Sequence, residues 1–442
     1  MTPHPPADTA RLGATVADAG TRFVVWAPST DRVDVVVASG GTETRLALDH
    51  VADGYHTVFA PGVGHGDRYA YRLDGGPDRP DPASRHQPDG VHGRSAVVDP
   101  ATFTWTDTAW RGRGLDDTVV YELHVGAFTP AGTFEAAIDQ LPRLVALGVT
   151  TIEIMPVGAF PGERNWGYDG VLPWATQESY GGPEGLARFV DAAHAVGLAV
   201  ILDVIANHVG PEGNHLVEFG PYFDATFTTS WGPGMNVAGA GSDHVRRYFI
   251  EQYVGWVRDF HLDGFRFDAV HAIADQTANP FWGEVCTAVR AAARAERRQV
   301  VLIGETSDND PRQLAPADRG GFGFDAVWCD DVHHNLRVAL TGERHGYYAD
   351  YDGSAHELAD TIAHRWKFRG QYSIARGRRH GRPVAEMAPH RFVAFTRNHD
   401  QIGNRPDGSR PVHLLDRAER RYLAAALLLS PYTPMLFMGE EY

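Results

Sequence analysis

The chain has 442 residues, of which 43% are hydrophobic and 22% charged, a balance normal for a globular enzyme. That length exceeds one ordinary core, so two or three domains are expected. The formal net charge of −16 argues against nucleic acid or an anionic membrane surface as a partner, whereas a neutral sugar is compatible with it. Cys286 and Cys329 are too few for a disulfide framework, and neither sits in a metal-binding spacing. Residues 1–10 hold no apolar signal-peptide core, and no later run approaches the ~18 apolar residues of a spanning helix. A reduced, cytoplasmic setting is the default expectation, with residues 1–10 as a disordered tail.

Residues 11–100 alternate apolar and polar over short runs such as TRFVVWAP, DRVDVVVAS and DRYAYRLDG, separated by Gly, Pro and Asp. This predicts a small antiparallel β-domain. A linker over 101–116 follows, and the pattern then changes. Over 117–442 short apolar strands alternate with helix-length segments, the mark of a βα-repeat fold. The strands expected are TVVYELHV, TIEIMPV, AVILDV, GFRFDA, VVLIGE, AVWCDD, FVAFTRNHD and PMLFMGE, with helices near 134–147, 184–196, 244–261, 280–296, 357–366 and 416–429. Eight such units predict a TIM (β/α)8 barrel. A doubly wound sheet would carry a Gly-rich phosphate loop after its first strand, and YELHVGAF has none. After the third strand comes a long loop, 208–243, rich in Gly, Pro, Phe and Trp; loops of this length are usually functional or disordered.

Barrel active sites are built at the C-terminal ends of the strands. There the sequence places Asp203, Asn207 and His208 after the third strand, and Arg266, Asp268 and His271 on and after the fourth. Glu305 ends the fifth, and Asn398, His399 and Asp400 end the seventh. Paired carboxylates are what glycoside hydrolysis needs, one to attack the anomeric carbon and one to protonate the leaving oxygen, ~5–5.5 Å apart in a retaining enzyme. Arg266 shares the strand face of Asp268 because side chains alternate with period two. It can therefore hold that carboxylate ionised. The general acid must instead keep its proton, and Glu305 follows the apolar run VVLIG.

The segments DVIANH (203–208), GFRFDAVHA (264–272), the Glu305 strand and FTRNHD (395–400) resemble, in order, the four signature regions of the α-amylase superfamily. The resemblance implies Asp268 as nucleophile, Glu305 as general acid and base, and Asp400 as the third, transition-state-stabilising carboxylate. Arg266, His208 and His399 would contact substrate in the central sugar subsite, and Tyr168 of NWGYDG would stack on that sugar. It implies no cofactor, and 208–243 offers no carboxylate-rich ligand set for calcium, so no metal is expected. The β-domain resembles the carbohydrate-binding-like module of the multidomain branch. Superfamily members continue past the eighth strand with a last helix and a C-terminal β-domain; Tyr442 follows that strand directly, so these layers are expected to be missing.

Within the superfamily, VWCDDVHHNLRVALTGERHGYYADY (327–351), WKFRGQYSIARGRRHGRP and NHDQIGNRP resemble the malto-oligosyltrehalose trehalohydrolases. The implied partners are malto-oligosyltrehalose and related α-glucans, and the implied reaction is retaining hydrolysis of the α-1,4 bond next to terminal trehalose. Asp330, Asp331, His333 and His334 are then expected near the trehalose side, with His271 a further candidate. For each of these, capping a helix is an equally weighted structural reading. Trp256 and Trp282 read as core, whereas Trp231 in the long loop reads equally as a sugar platform. Glu440 and Glu441 read as structural, and neither Asp325 nor Asp330 as catalytic. Two alternatives stay open: a glucan branching enzyme, which would pass the glucosyl unit to another glucan, and an inactive α-glucan-binding fragment.

Overall fold

Alternating strands need a partner for their apolar face, and in a computed structural model of the chain they find it in each other. The structure describes residues 11–384, 386–405 and 408–442, so the tail expected at 1–10 lies outside the described residues. One antiparallel sheet joins Gly13–Ala17, Gly20–Trp26, Tyr55–Pro61 and Asp49–His50; the other joins Thr42–Ala47, Val33–Ser39, Arg68–Leu73 and Asp78–Arg79, with Ser95–Ala96 added to it. Their facing side chains, among them Phe23, Val25, Val35, Val37, Tyr69 and Tyr71, are buried together.

The barrel follows. Its strands are β1 (Val120–Leu123), β2 (Thr151–Ile154), β3 (Ala199–Val204), β4 (Gly264–Phe267), β5 (Val301–Gly304), β6 (Ala326–Trp328), β7 (Phe392–Phe395) and β8 (Thr433–Phe437). Each lies parallel to the next, and β8 pairs with β1 to close the ring. Parallel strands are covered on both faces, which is why β1 to β7 are buried at nearly every residue and read as continuous apolar runs.

The longer helices match the expected periodicity with two differences. The segment 134–147 is two helices, Phe134–Ile138 and Leu141–Leu147, because Pro142 lacks an N–H and starts a new helix in its first turn. A helix not expected from sequence, Asp330–Thr341, leads out of β6, with its two acidic residues in the first turn, where the helix dipole favours them. The long loop is ordered around a hairpin, Phe223–Thr229 with Gly232–Met235.

The segment expected to be a linker, 101–116, is instead a strap across the N-terminal end of the barrel. His194, at the end of helix Gly182–Ala195, places Nδ1 2.8 Å from Asp107 and Nε2 2.8 Å from Asp263. Trp110 donates from its indole nitrogen to Asp263 at 2.7 Å and stacks on His194. His261 also meets Asp107, and Trp105 stacks on it at 3.7 Å. A histidine with a carboxylate at each nitrogen donates from both and is therefore an imidazolium. Burial pushes His194 down, but hydrogen bonds and charges from Asp107 and Asp263 outweigh it and hold the ring above its ordinary value of 6.5. Asp107 is pushed up by burial, yet the two histidines pull it well below the carboxylate range.

Replacing His194 with Gln leaves buried Asp263 without its cation and Asp107 with His261 alone, and is expected to cost about 3–5 kcal/mol. Because the folded-state value is raised, the imidazolium contributes fully below the unfolded value of 6.5 and fades as pH rises through the folded one. Chemical denaturation of both proteins should therefore show the largest gap near pH 6 and a narrower one on the alkaline side. A gap that widens with pH would contradict the charged clamp.

Candidate active site

Period two on β4 and its extension puts Arg266 and Asp268 on one face, directed into the barrel. Arg266 is fully buried. Its Nη1 lies 2.7 Å from Asp268 Oδ1 and within 2.9 Å of both carboxylate oxygens of Asp203 on β3. Its Nη2 approaches Glu305 of the next strand at 3.8 Å, and the guanidinium lies 4.2 Å from the ring centre of Trp328 on β6. One cation thus gathers carboxylates from three adjacent strands. Asn207 adds a bond from its amide nitrogen to Asp268 Oδ2 at 2.8 Å. Burial pushes Asp203 up to about 7 against the pull of Arg266.

Glu305 is set by backbone as well as charge. The N–H of Ala269, the residue after Asp268, donates to its Oε2 at 2.5 Å. Ala269 adopts φ +39°, a left-handed conformation that non-glycine residues rarely hold and that costs ~1–3 kcal/mol where the surroundings enforce it. This strain aims the N–H across to the neighbouring strand. Burial raises the affinity of Glu305 for its proton; Arg266 opposes this and Asp268 adds to it. The two carboxyls therefore differ in kind. Asp268 has two donors in place, and Glu305 is the group disposed to keep a proton.

Asp400 opens the third side. It begins the short helix His399–Gly403, capped by Asn398, and its side chain is 48% exposed at the mouth of the site. Beside it His399 is buried and held by Glu122 of β1, which accepts from its N–H at 3.1 Å and pairs with its Nδ1. Burial alone would neutralise this ring, but the charges of Glu122 and Asp400 raise it to about 9. Tyr168 stacks on His399 at 4.7 Å and donates its hydroxyl to Asp203. His208 is anchored to the carbonyl of Tyr168 at 2.8 Å and to Asn207, and Trp231 from the long-loop hairpin stacks over it at 5.2 Å.

The geometry has parallels among known proteins. The alpha amylase catalytic domain matches residues 94–220, and carbohydrate-binding module 48, the isoamylase N-terminal domain, matches 11–88. A solved putative alpha amylase from Salmonella typhimurium is 42% identical with a TM-score of 0.90, over 98% of this chain and 73% of that one. The malto-oligosyltrehalose trehalohydrolase of Saccharolobus solfataricus is 44% identical over 98% of this chain and 75% of its own length. That of Mycobacterium tuberculosis is 47% identical over 95% of this chain and 72% of its own length. The chain belongs to the malto-oligosyltrehalose trehalohydrolase family. Its fold is the α-amylase barrel preceded by a carbohydrate-binding module.

The residues expected on the trehalose side are placed unequally. The Asp331 carboxylate is not free for substrate: Asn309 donates to it at 2.8 Å, the Lys367 N–H at 3.0 Å, and the Tyr351 hydroxyl bonds to it as well. It ties the loop after β5 to the segment around Lys367. Its neighbour Asp330 lies within electrostatic reach of Glu305, Asp400 and Arg266, and burial raises its affinity for a proton. A helical turn rotates successive residues by ~100°, so only one of the pair can face the cleft. His334 also points into the fold, 7% exposed, hydrogen-bonded to the Tyr351 hydroxyl at 3.1 Å and covered by Tyr347, which stacks on it at 4.4 Å. Burial keeps His334 neutral and drives His333 down to about 4. His271 stands exposed on the rim, within electrostatic reach of Glu305.

Trp256 and Trp282 are core residues at 3% and 2% exposure. Glu440 caps the end of β8 through the Phe437 N–H and Thr396, and Glu441 pairs with Arg143 and Tyr121. Two acids that sequence reasoning passed over lie beneath the site: Glu122 on β1 and Glu153 on β2, both fully buried. The signal was a lone charge inside an otherwise apolar parallel strand, YEL and IEI.

Proposed function

We propose that this chain is a retaining glycoside hydrolase that cleaves the α-1,4 bond next to the terminal trehalose of malto-oligosyltrehalose and releases trehalose. The observation that carries the residue assignment is the single guanidinium of Arg266, which holds Asp268 at 2.7 Å and approaches Glu305 at 3.8 Å. Two carboxyls gathered by one planar cation, with the N–H of the residue after Asp268 bonded to Glu305, suit a double displacement, which needs them close.

In the first step Asp268 attacks the anomeric carbon of the malto-oligosaccharide while Glu305 gives its proton to the glycosidic oxygen. Trehalose leaves, and a covalent glucosyl-enzyme remains. Glu305, now a carboxylate, takes a proton from water, which attacks the same carbon and frees Asp268. Asp400, exposed at the mouth, accepts hydrogen bonds from ring hydroxyls as the sugar flattens. The His399 imidazolium, fixed by Glu122, supplies positive charge at the same subsite.

Incubation with maltotriosyltrehalose should give trehalose and maltotriose in equal amounts, read by anion-exchange chromatography. Branched glucan without trehalose would replace this reading with a transferase, and sugar binding without any turnover would replace it with a binding protein.

A further inference from the structure

Glu122 and Glu153 are register partners on β1 and β2 and are both fully buried. Glu122 is engaged with His399, but neither carboxyl oxygen of Glu153 meets a donor among the described residues. Charged groups face Glu153 from four elements: Glu122 on β1, Asp203 on β3, Arg266 on β4 and His399 at the start of the helix after β7. The network holds two cations, His399 and Arg266. Against them stand the buried carboxyls of Glu122, Asp203 and Asp268, each contacting one of those cations; Glu305 also approaches Arg266 but is the acid disposed to keep its proton, and Asp400 reaches His399 but is half exposed to solvent. This leaves one excess negative charge, on the group that must attack the sugar. A fourth anion here would be buried with no partner, the costliest arrangement for a charge.

We propose that Glu153 is carried as a neutral carboxylic acid and acts as a positioning residue that limits the buried network to one excess negative charge, keeping Arg266 committed to Asp203 and Asp268. An ionised Glu153 would compete for Arg266, whose Nε has no hydrogen-bond partner among the described residues. Burial, reinforced by the charges of Glu122 and Asp203, pushes the proton affinity of Glu153 well above the ordinary carboxyl range. Only the location of the excess charge rests on reading Asp268 as the nucleophile; the decisive measurements below do not require turnover.

Glu153→Gln keeps the shape and neutrality of the protonated acid. The infrared difference spectrum of wild type minus Glu153→Gln at pH 7 should contain the carbonyl band of a protonated carboxylic acid. The stability difference should also depend on pH. A folded-state value above the unfolded 4.5 means the folded protein holds a proton that the unfolded chain has lost, so wild type loses stability as pH rises and the variant does not. The melting temperature of Glu153→Gln should therefore gain on wild type between pH 5 and 8. Absence of the acid band from the difference spectrum, or a melting-temperature difference independent of pH, would overturn the neutral form. A fall in kcat/KM of about tenfold or more with a shifted acidic limb would overturn the positioning role, since it would mean the carboxylate is the working form. If Glu153→Gln does not fold, Glu153→Leu provides the same spectral difference and the same pH comparison.

Discussion

Asp268→Asn is expected to lower kcat on malto-oligosyltrehalose by roughly four to six orders of magnitude, the scale seen when a covalent nucleophile is removed from a preorganised site. Asn is nearly isosteric and can still take a hydrogen bond from Arg266, so fold and sugar binding should persist. The charge balance around Arg266 changes from three carboxyl neighbours to two, which leaves the guanidinium paired with Asp203 at 2.8 Å. Circular dichroism and a binding isotherm with the intact substrate separate loss of chemistry from loss of structure. A variant that keeps a tenth or more of wild-type kcat would remove Asp268 from the nucleophile's role.

Glu305→Gln is expected to cost ~10²–10⁴ in kcat on the natural substrate, the range of general acid catalysis. The loss should be far smaller in the first step with a maltosyl fluoride, whose leaving group needs no proton. The pH profile carries the sharper sign. Burial and the Asp268 charge raise the affinity of Glu305 for its proton against the pull of Arg266. The competent acid is therefore present at low and neutral pH and is lost as pH rises through its raised value, giving an alkaline limb in kcat/KM. Glu305→Gln should lack that limb. A variant that keeps it would place the general acid elsewhere, with Asp330 the neighbour to examine next, since burial also raises it and it faces the same charges.

The barrel was legible because parallel strands buried on both faces leave a repeated apolar signature that loops cannot imitate. The positions of Arg266, Asp268 and Glu305 followed from strand alternation and from the rule that barrel chemistry sits at strand ends. Other features depended on contacts that no local pattern encodes. The break at Pro142 was visible but lies in a strongly helical window. The strap at 101–116 reads as a linker, because Asp107 finds His194 and His261 only after the chain has wound through two and three barrel strands respectively. Asp330 and Asp331 are both expected near the trehalose side from sequence, and a step of one residue on a helix decides which side chain faces outward. The pairing of Glu122 with His399 spans 277 residues and is closed only by the ring of strands.

The reading of this chain as a retaining trehalose-releasing hydrolase is tested most directly by following maltotriosyltrehalose with proton NMR from the first seconds of reaction. Free trehalose should appear together with the α-anomer of maltotriose, which only later mutarotates toward the β form. Initial appearance of the β-anomer would contradict the double displacement through Asp268, and maltose or glucose in place of trehalose would contradict the bond assigned as the site of cleavage.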